Sequence, residues 1–149
     1  MSPLRDQIAQ TLQGWMDDFN TNTPEGLIAN RTPACKQLMM PESELFPPRS
    51  NDEYKAFMSP CFQFMEDFHL KVSDKVAPII DAETRTAAVH LTSNAGTPIG
   101  PYINSYVFTL RFSEDGKQID EVIEFGDTAA TAAFVPRFLQ YVQENLPKN

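Results

Sequence analysis

The chain has 149 residues, 42% of them hydrophobic, and a formal net charge of -8. That is enough chain to bury a core in one domain spanning residues 1–149, with no linker, repeat or low-complexity tract to divide it. The acidic balance and the lack of a basic cluster argue against nucleic acid as a partner, and no apolar run reaches the roughly 20 residues of a membrane span.

The opening stretch lacks the apolar run of a signal peptide. Ser2-Pro3 instead caps a helix whose Leu4, Ile8, Leu12, Trp15, Met16 and Phe19 form one apolar face, ended by Asn20-Thr21-Asn22. Thr23-Pro24-Glu25 starts a short second helix toward Asn30. Arg31-Thr32-Pro33 leaves it, Cys35 to Met40 reads as a short strand, and Pro41 to Pro48 as a stiff loop. Ser50-Asn51-Asp52-Glu53 is a capping box for a third helix with Tyr54, Phe57, Met58, Cys61 and Met65 on its apolar stripe. Pro60 either kinks this helix or begins a new turn. From Phe68 the pattern is that of a strand toward Ile80. Cys35 and Cys61 sit in apolar surroundings and read as buried free thiols of a reducing compartment, so the cytoplasm is the expected location.

Thr84 to Asp127 reads as three consecutive strands. In the middle one, Tyr102, Asn104, Tyr106, Phe108, Leu110 and Phe112 share a face that is apolar at one end and polar at the other, which predicts a sheet lining a pocket. Asp115-Gly116 marks a hairpin turn into the third strand, Gln118 to Phe125. Thr128 or Thr131 then starts a C-terminal helix carrying Phe134, Phe138, Leu139, Val142 and Leu146. Helices, an antiparallel sheet and a closing helix, in that order, give an α+β fold in which the N-terminal helices cover a curved sheet.

His90 lies mid-strand between the small Ala88 and Thr92. It is a candidate for proton transfer near neutral pH, or a structural histidine. Glu121 shares a face with Ile119, Ile123 and Phe125 in a regular strand, where burial suits a general acid or base; a bulge would turn it outward, or Glu124 would point in instead. Tyr106 and Asn104 on the inner face either stabilise an enolate and hold its oxygen or pack as core. Tyr102 is nearer the rim and reads as structural or interfacial. Trp15, Phe19, Tyr54 and Phe108 are candidate walls of an apolar cavity, and Phe57 and Met58 read as core. Arg31 binds an anionic oxygen or pairs with a surface acid. His69 reads as exposed, and Asp127 as a helix cap. The chain shows no phosphate loop, no metal-spaced cluster and no acyl-transfer triad, so neither a metal nor a cofactor is expected.

Trp15, Arg31-Thr32-Pro33-Ala34-Cys35, Ser50-Asn51-Asp52-Glu53-Tyr54, Thr97-Pro98-Ile99-Gly100-Pro101-Tyr102-Ile103-Asn104-Ser105-Tyr106 and Glu114-Asp115-Gly116-Lys117-Gln118-Ile119 together carry a resemblance. With them the chain resembles the NTF2-like superfamily of cone-shaped α+β domains, and within it the SnoaL-like group of small fungal proteins. The resemblance implies a homodimer packed sheet against sheet. It also implies a tailoring enzyme of polyketide or meroterpenoid pathways that isomerises or cyclises a polycyclic intermediate without redox cofactor or metal. Ser105 departs from the Asn-Glu-Tyr often found in the group, and Gln37 stands where relatives often place a histidine. Trp15-Met16-Asp17-Asp18-Phe19-Asn20 is similar to a segment of scytalone dehydratase. Phe19 and Asn20 replace its Tyr and Asp, which argues against the same dehydration. His90 falls where that enzyme has a strand histidine, and Asn104 or Tyr106 near its strand asparagine.

The expected activity is therefore that of a cofactor-independent isomerase or cyclase of a hydrophobic intermediate in secondary-metabolite biosynthesis. Its catalytic set would be His90, Glu121, Tyr106 and Asn104. Trp15, Phe19, Tyr54, Arg31, Phe108 and Glu124 would bind the substrate. The alternatives are a pericyclase of Diels–Alderase type that uses cavity shape, a dehydratase, and a non-catalytic binding or dimerisation module.

Overall fold

The structure, a computed structural model, describes residues 2–148. Helix α1, Pro3–Phe19, begins where the Ser2 hydroxyl accepts the Arg5 N–H at 3.1 Å, and α2, Pro24–Ile28, is capped in the same way by Thr23. In α3, Asn51–Phe62, Ser50 and Glu53 cap each other reciprocally, and the helix runs on through Pro60. Pro60 sits in the last turn, where a missing N–H costs a single intrahelical bond. Helix α4, Thr128–Asn145, starts at Asp127, whose carboxylate accepts from the N–H groups of Ala129 and Ala130.

Six strands form one curved sheet: β1 Arg31–Met40, β2 Glu66–Val72, β3 Ile79–Asp81, β4 Thr86–Gly96, β5 Tyr102–Phe112 and β6 Ile119–Gly126. Their order is β1-β6-β5-β4-β2, with β3 on β4, and every pair is antiparallel except β1 with β6. Two expectations need correction. Strand β1 begins at Arg31, not Cys35; the pairing is irregular between Arg31 and Lys36, and this accommodates Pro33, which has no N–H to donate. The stretch expected as one strand from Phe68 toward Ile80 is two strands. After Val72 the Ser73 N–H bonds the His90 carbonyl and the Ser73 hydroxyl accepts the Lys75 N–H, which turns the chain before β3.

The concave face carries Ala87, Val89, Leu91, Phe108, Leu110, Phe112 and Val122, all buried, and α1 lays Ile8, Leu12 and Trp15 onto it. Two polar clamps fix this helix. Thr11 donates to the Gly116 carbonyl at 2.6 Å, in the hairpin turn that Gly116 makes possible with φ +73. The Asn20 amide donates to the Leu70 carbonyl and accepts the Leu70 N–H, at 3.0 and 2.8 Å. A carboxylate here would only accept, so the Asn in place of an Asp has a structural use. The narrow end of the cone, around Phe112, is filled. The end around Tyr102 is roofed by α3 and α4 and holds a cavity.

Candidate active site

The cavity has a volume of about 90 Å³. An aromatic wall of stacked rings, Phe68–Tyr102–Phe134–Phe138, runs along one side, with centroid separations of 6.4, 4.7 and 5.3 Å. Phe19, Tyr54, Phe57, Met58, Cys61 and Met65 close other sides. The polar lining is sparse: Tyr102, Tyr106, Thr131, Gln37, Arg49 and Glu124.

Glu124 reaches this place because β6 is bulged. Phe112 pairs with Ile119 and Arg111 with Glu121, so Asp120 is the extra residue. One added residue inverts the side-chain alternation. Ile119 and Val122 point into the core, then Glu124 and Gly126 point into the cavity, opposite Phe108 and Tyr106 on β5. Glu121 is turned to the outer face, where Arg111 meets it at 3.4 Å. Glu121, expected at the site, is therefore not there. His90 is a second correction. Its neighbours Val89 and Leu91 are buried on the concave face, so His90 stands on the convex one, paired with Val107.

The phenols form a chain. Ser93 Oγ lies 2.8 Å from Tyr106 Oη, Tyr106 donates to Tyr102 Oη at 3.0 Å, and Asn104 Nδ2 donates to both Tyr102 Oη at 3.0 Å and Thr131 Oγ1 at 3.1 Å. With the Tyr106 proton given to Tyr102, the first link has Ser93 as its donor. A hydroxyl oxygen accepts at most two such bonds. Tyr102 accepts both, so its own proton is left to serve something in the cavity. Asn104 spends both amide hydrogens on this network, and its Oδ1 accepts the Ser105 N–H at 2.8 Å. It positions Tyr102 and does not line the cavity, so the expectation that it holds a substrate oxygen is corrected.

Electrostatics separates the acids from the donors. Burial pushes the Glu124 carboxyl up from 4.5 to about 7, and the positive charge of Arg31 pulls against that rise. Burial also raises the Tyr54, Tyr102 and Tyr106 phenols, with the nearby Glu124 charge adding to each. They stay protonated, so each keeps a hydroxyl proton. Burial pushes the Cys61 thiol up to about 11, too high for a thiolate nucleophile near neutral pH. Arg31 is buried behind Tyr54. Its guanidinium carbon is 4.9 Å from the Tyr54 ring centre, and Nη2 donates to Gln37 Oε1 at 2.8 Å. Arg49 lies 3.9 Å above the Phe57 ring, and desolvation lowers its pKa.

Among the other expected residues, Tyr106, Phe19, Tyr54 and Glu124 line the cavity. Trp15 and Phe108 do not. Their rings pack on each other at 5.2 Å beneath it, because Trp15 projects from the middle of α1 into the filled part of the cone. Sequence reading missed Tyr102, Arg49, Thr131, Gly126, Phe134 and Phe138 as lining residues. Tyr102 had a signal, since it shares the inward parity of Tyr106. Arg49 had none, because only the pairing of its backbone with Gln37 brings it over α3.

A curved, unclosed sheet with helices on its concave face and a carboxyl-and-phenol cavity at its wide end defines a cone-fold pocket protein. The chain is 31% identical over 144 residues to a protein named monooxygenase dmxR10 from Cryptosporiopsis sp., covering 95% of this chain and 94% of that one. It is 27% identical over 135 residues to austinoid biosynthesis clusters protein H of Penicillium brasilianum, covering 90% and 92%. The crystal structure of BvnE pinacolase from Penicillium brevicompactum superposes with a TM-score of 0.88 at 30% identity, covering 94% and 96%. No family model matches the chain. More distant structures sharing the fold include SnoaL-like and ketosteroid isomerase-like proteins. The chain belongs to the same family as these fungal proteins, and its fold is the NTF2-like cone of the SnoaL-like and ketosteroid isomerase-like structures. None of its helices, among the described residues, is long and apolar enough to cross a membrane.

Proposed function

We propose that this chain, acting as one domain, is a cofactor-independent isomerase or cyclase of a hydrophobic secondary-metabolite intermediate, working by acid–base chemistry on a carbonyl compound. The observation that carries this reading is Glu124. It is a carboxyl raised to about 7 that shares an apolar cavity with a phenol whose proton is free. Ionised Glu124 takes a proton from the carbon next to the carbonyl. The C–H electrons shift to the oxygen, Tyr102 donates a hydrogen bond to the oxyanion, and protonated Glu124 returns the proton elsewhere on the skeleton. Tyr106 and Asn104 hold Tyr102 in the donating orientation, and Arg31 favours the anionic states.

The likeness to a pinacolase supports a second reading with the same groups. Glu124 takes the proton of an α-hydroxyl, whose carbon becomes a carbonyl as one of its carbon substituents migrates with its bonding pair to the neighbouring carbonyl carbon; the new alkoxide, held by Tyr102, takes the proton back from Glu124. The product is an isomer of the substrate in this case too.

The test uses 2-tetralone in D2O, read by mass spectrometry. Deuterium should enter the α-position faster than in buffer, equally well without oxygen, and about 10²–10³-fold more slowly with Tyr102→Phe. An exchange rate no greater than buffer, while an α-ketol still rearranges, would favour the second reading. An oxygen requirement would sink both.

We also infer that the convex face of the sheet is covered by a second copy of the chain. Ile103 and Phe125 are 63% and 50% exposed there, with Val107, Ile123 and Leu38 beside them, which is more apolar surface than a strand face in water usually carries. Light scattering should give twice the chain mass, and Phe125→Asp should return it to the monomer. A monomeric parent protein would refute this.

A further inference from the structure

The cavity is not large enough for the substrate class proposed above. Its volume of about 90 Å³ is that of a few water molecules, whereas sites for drug-sized ligands span roughly 300–1,000 Å³. A second hollow adjoins it. This groove, about 220 Å³, lies between the 41–48 loop and α4, and it shares Met39, Phe46, Gly126 and Thr131 with the cavity. Gly126 leaves the junction open: a Cβ there would lie 3.3 Å from the Tyr106 ring and 3.5 Å from Thr131 Oγ1. Phe46 stands on the loop side of the same junction.

The two hollows differ in chemistry. The inner one carries Glu124 and Arg49. The groove is lined by Met40, Leu45, Ala132, Pro136 and their neighbours without one charged side chain, in a protein in which 21% of residues are charged. Leu45 is 71% exposed on its rim.

We propose that the groove is a second subsite of the same pocket, and that it takes an uncharged aliphatic appendage of the substrate past Phe46 while the reacting carbonyl stays at Glu124 and Tyr102. This rests on the acid–base reading for the head group only. The appendage follows from the continuity of the two hollows and from the missing charge. Together their volumes reach the lower end of the range that a polycyclic ligand with a side chain needs.

The experiment uses 4-alkylphenols as probes of an enol head with a growing tail, with affinities from calorimetry. From 4-methylphenol to 4-octylphenol the affinity of the wild-type chain should rise at least about thirtyfold, since each buried methylene is worth up to about fourfold. Ala132→Trp fills the groove from an exposed helix position, and Leu45→Glu puts a charge on its rim. Each should remove most of the chain-length gain and leave 4-methylphenol binding unchanged, with the melting temperature checking that both variants fold. Equal gains in the wild type and in both folded variants would overturn the subsite while leaving the cavity reading intact. A groove that a second copy occupies would show no chain-length gain at all, and Ala132→Trp would then shift the oligomeric state; that too overturns the subsite. If 4-methylphenol itself fails to bind, the head-group reading fails and the subsite with it.

Discussion

Glu124→Gln is expected to lower turnover by about 10²–10⁴-fold, the range lost when a positioned general base is removed. The amide keeps the shape of the side chain but cannot take a proton. The wild-type rate should rise with pH through a limb near 7, because Glu124 serves as a base only when ionised. The variant's residual rate should lack that limb. The same group has a stability signature of defined sign. Its pKa is raised above the ordinary 4.5, so between about 4.5 and 7 the folded chain holds a proton that the unfolded chain has released. Stability therefore falls as pH rises through that window, and the full loss is present above 7. Glu124→Gln does not pass through it. Its melting temperature should exceed that of the wild type at pH 8, and the excess should vanish below about pH 4.5. As controls, Glu121→Gln and His90→Ala should each leave the rate within about twofold, because both side chains stand on the far side of the sheet and the Arg111–Glu121 contact is a surface pair. A Glu124→Gln enzyme with wild-type turnover, or a Glu121→Gln enzyme without it, would reverse the assignment.

Trp15→Ala is expected to cost about 3–5 kcal/mol of stability, the usual range for removing a large aromatic from a filled core. Trp15 is 1% exposed and sits at the centre of the aromatic packing. Its ring contacts Phe19 at 6.2 Å and Phe108 at 5.2 Å, and Phe108 in turn contacts Tyr106 at 5.3 Å. The indole Nε1 has no hydrogen-bond partner among the described residues, so Trp15→Phe gives up packing but no polar contact. It should cost less than half as much. Chemical denaturation with matched slopes measures both. At about 2–4 °C per kcal/mol for a chain of this size, the alanine variant melts roughly 10 °C lower. If Trp15 were instead a cavity wall, truncation would change ligand affinity with little loss of stability.

The two predictions meet at Phe108. It is the register partner of Glu124 across the β5–β6 ladder and also the ring against which Trp15 packs. The filled end of the cone thus supports the strands that aim Glu124 and Tyr106. A core change at Trp15 is expected to reach catalysis only through the loss of folded protein.

Much of the architecture was legible in local patterns. The caps at Ser2, Thr23, Ser50 and Asp127, the Asp115-Gly116 turn and the alternation from Tyr102 to Phe112 each depend on a few neighbouring residues, and a side-chain cap or a period of two acts whatever lies elsewhere in the chain. The inward face of β5 follows from that alternation alone, and it brings Tyr102, Asn104 and Tyr106 to one side. What only the tertiary structure decided is which acid belongs to the site. Parity counted from Ile119 puts Glu121 inside; a single extra residue at Asp120 inverts the count and brings Glu124 in. A bulge is set by pairing with a partner strand, here Arg111 and Phe112, and leaves no mark in the sequence of β6 itself. The sense of the faces was decided in the same way. His90 alternates with Val89 and Leu91 as expected, but only the packing of α1 shows which side is concave. Arg31, Arg49 and the groove under Phe46 depend on contacts between different elements, where side-chain period carries no information.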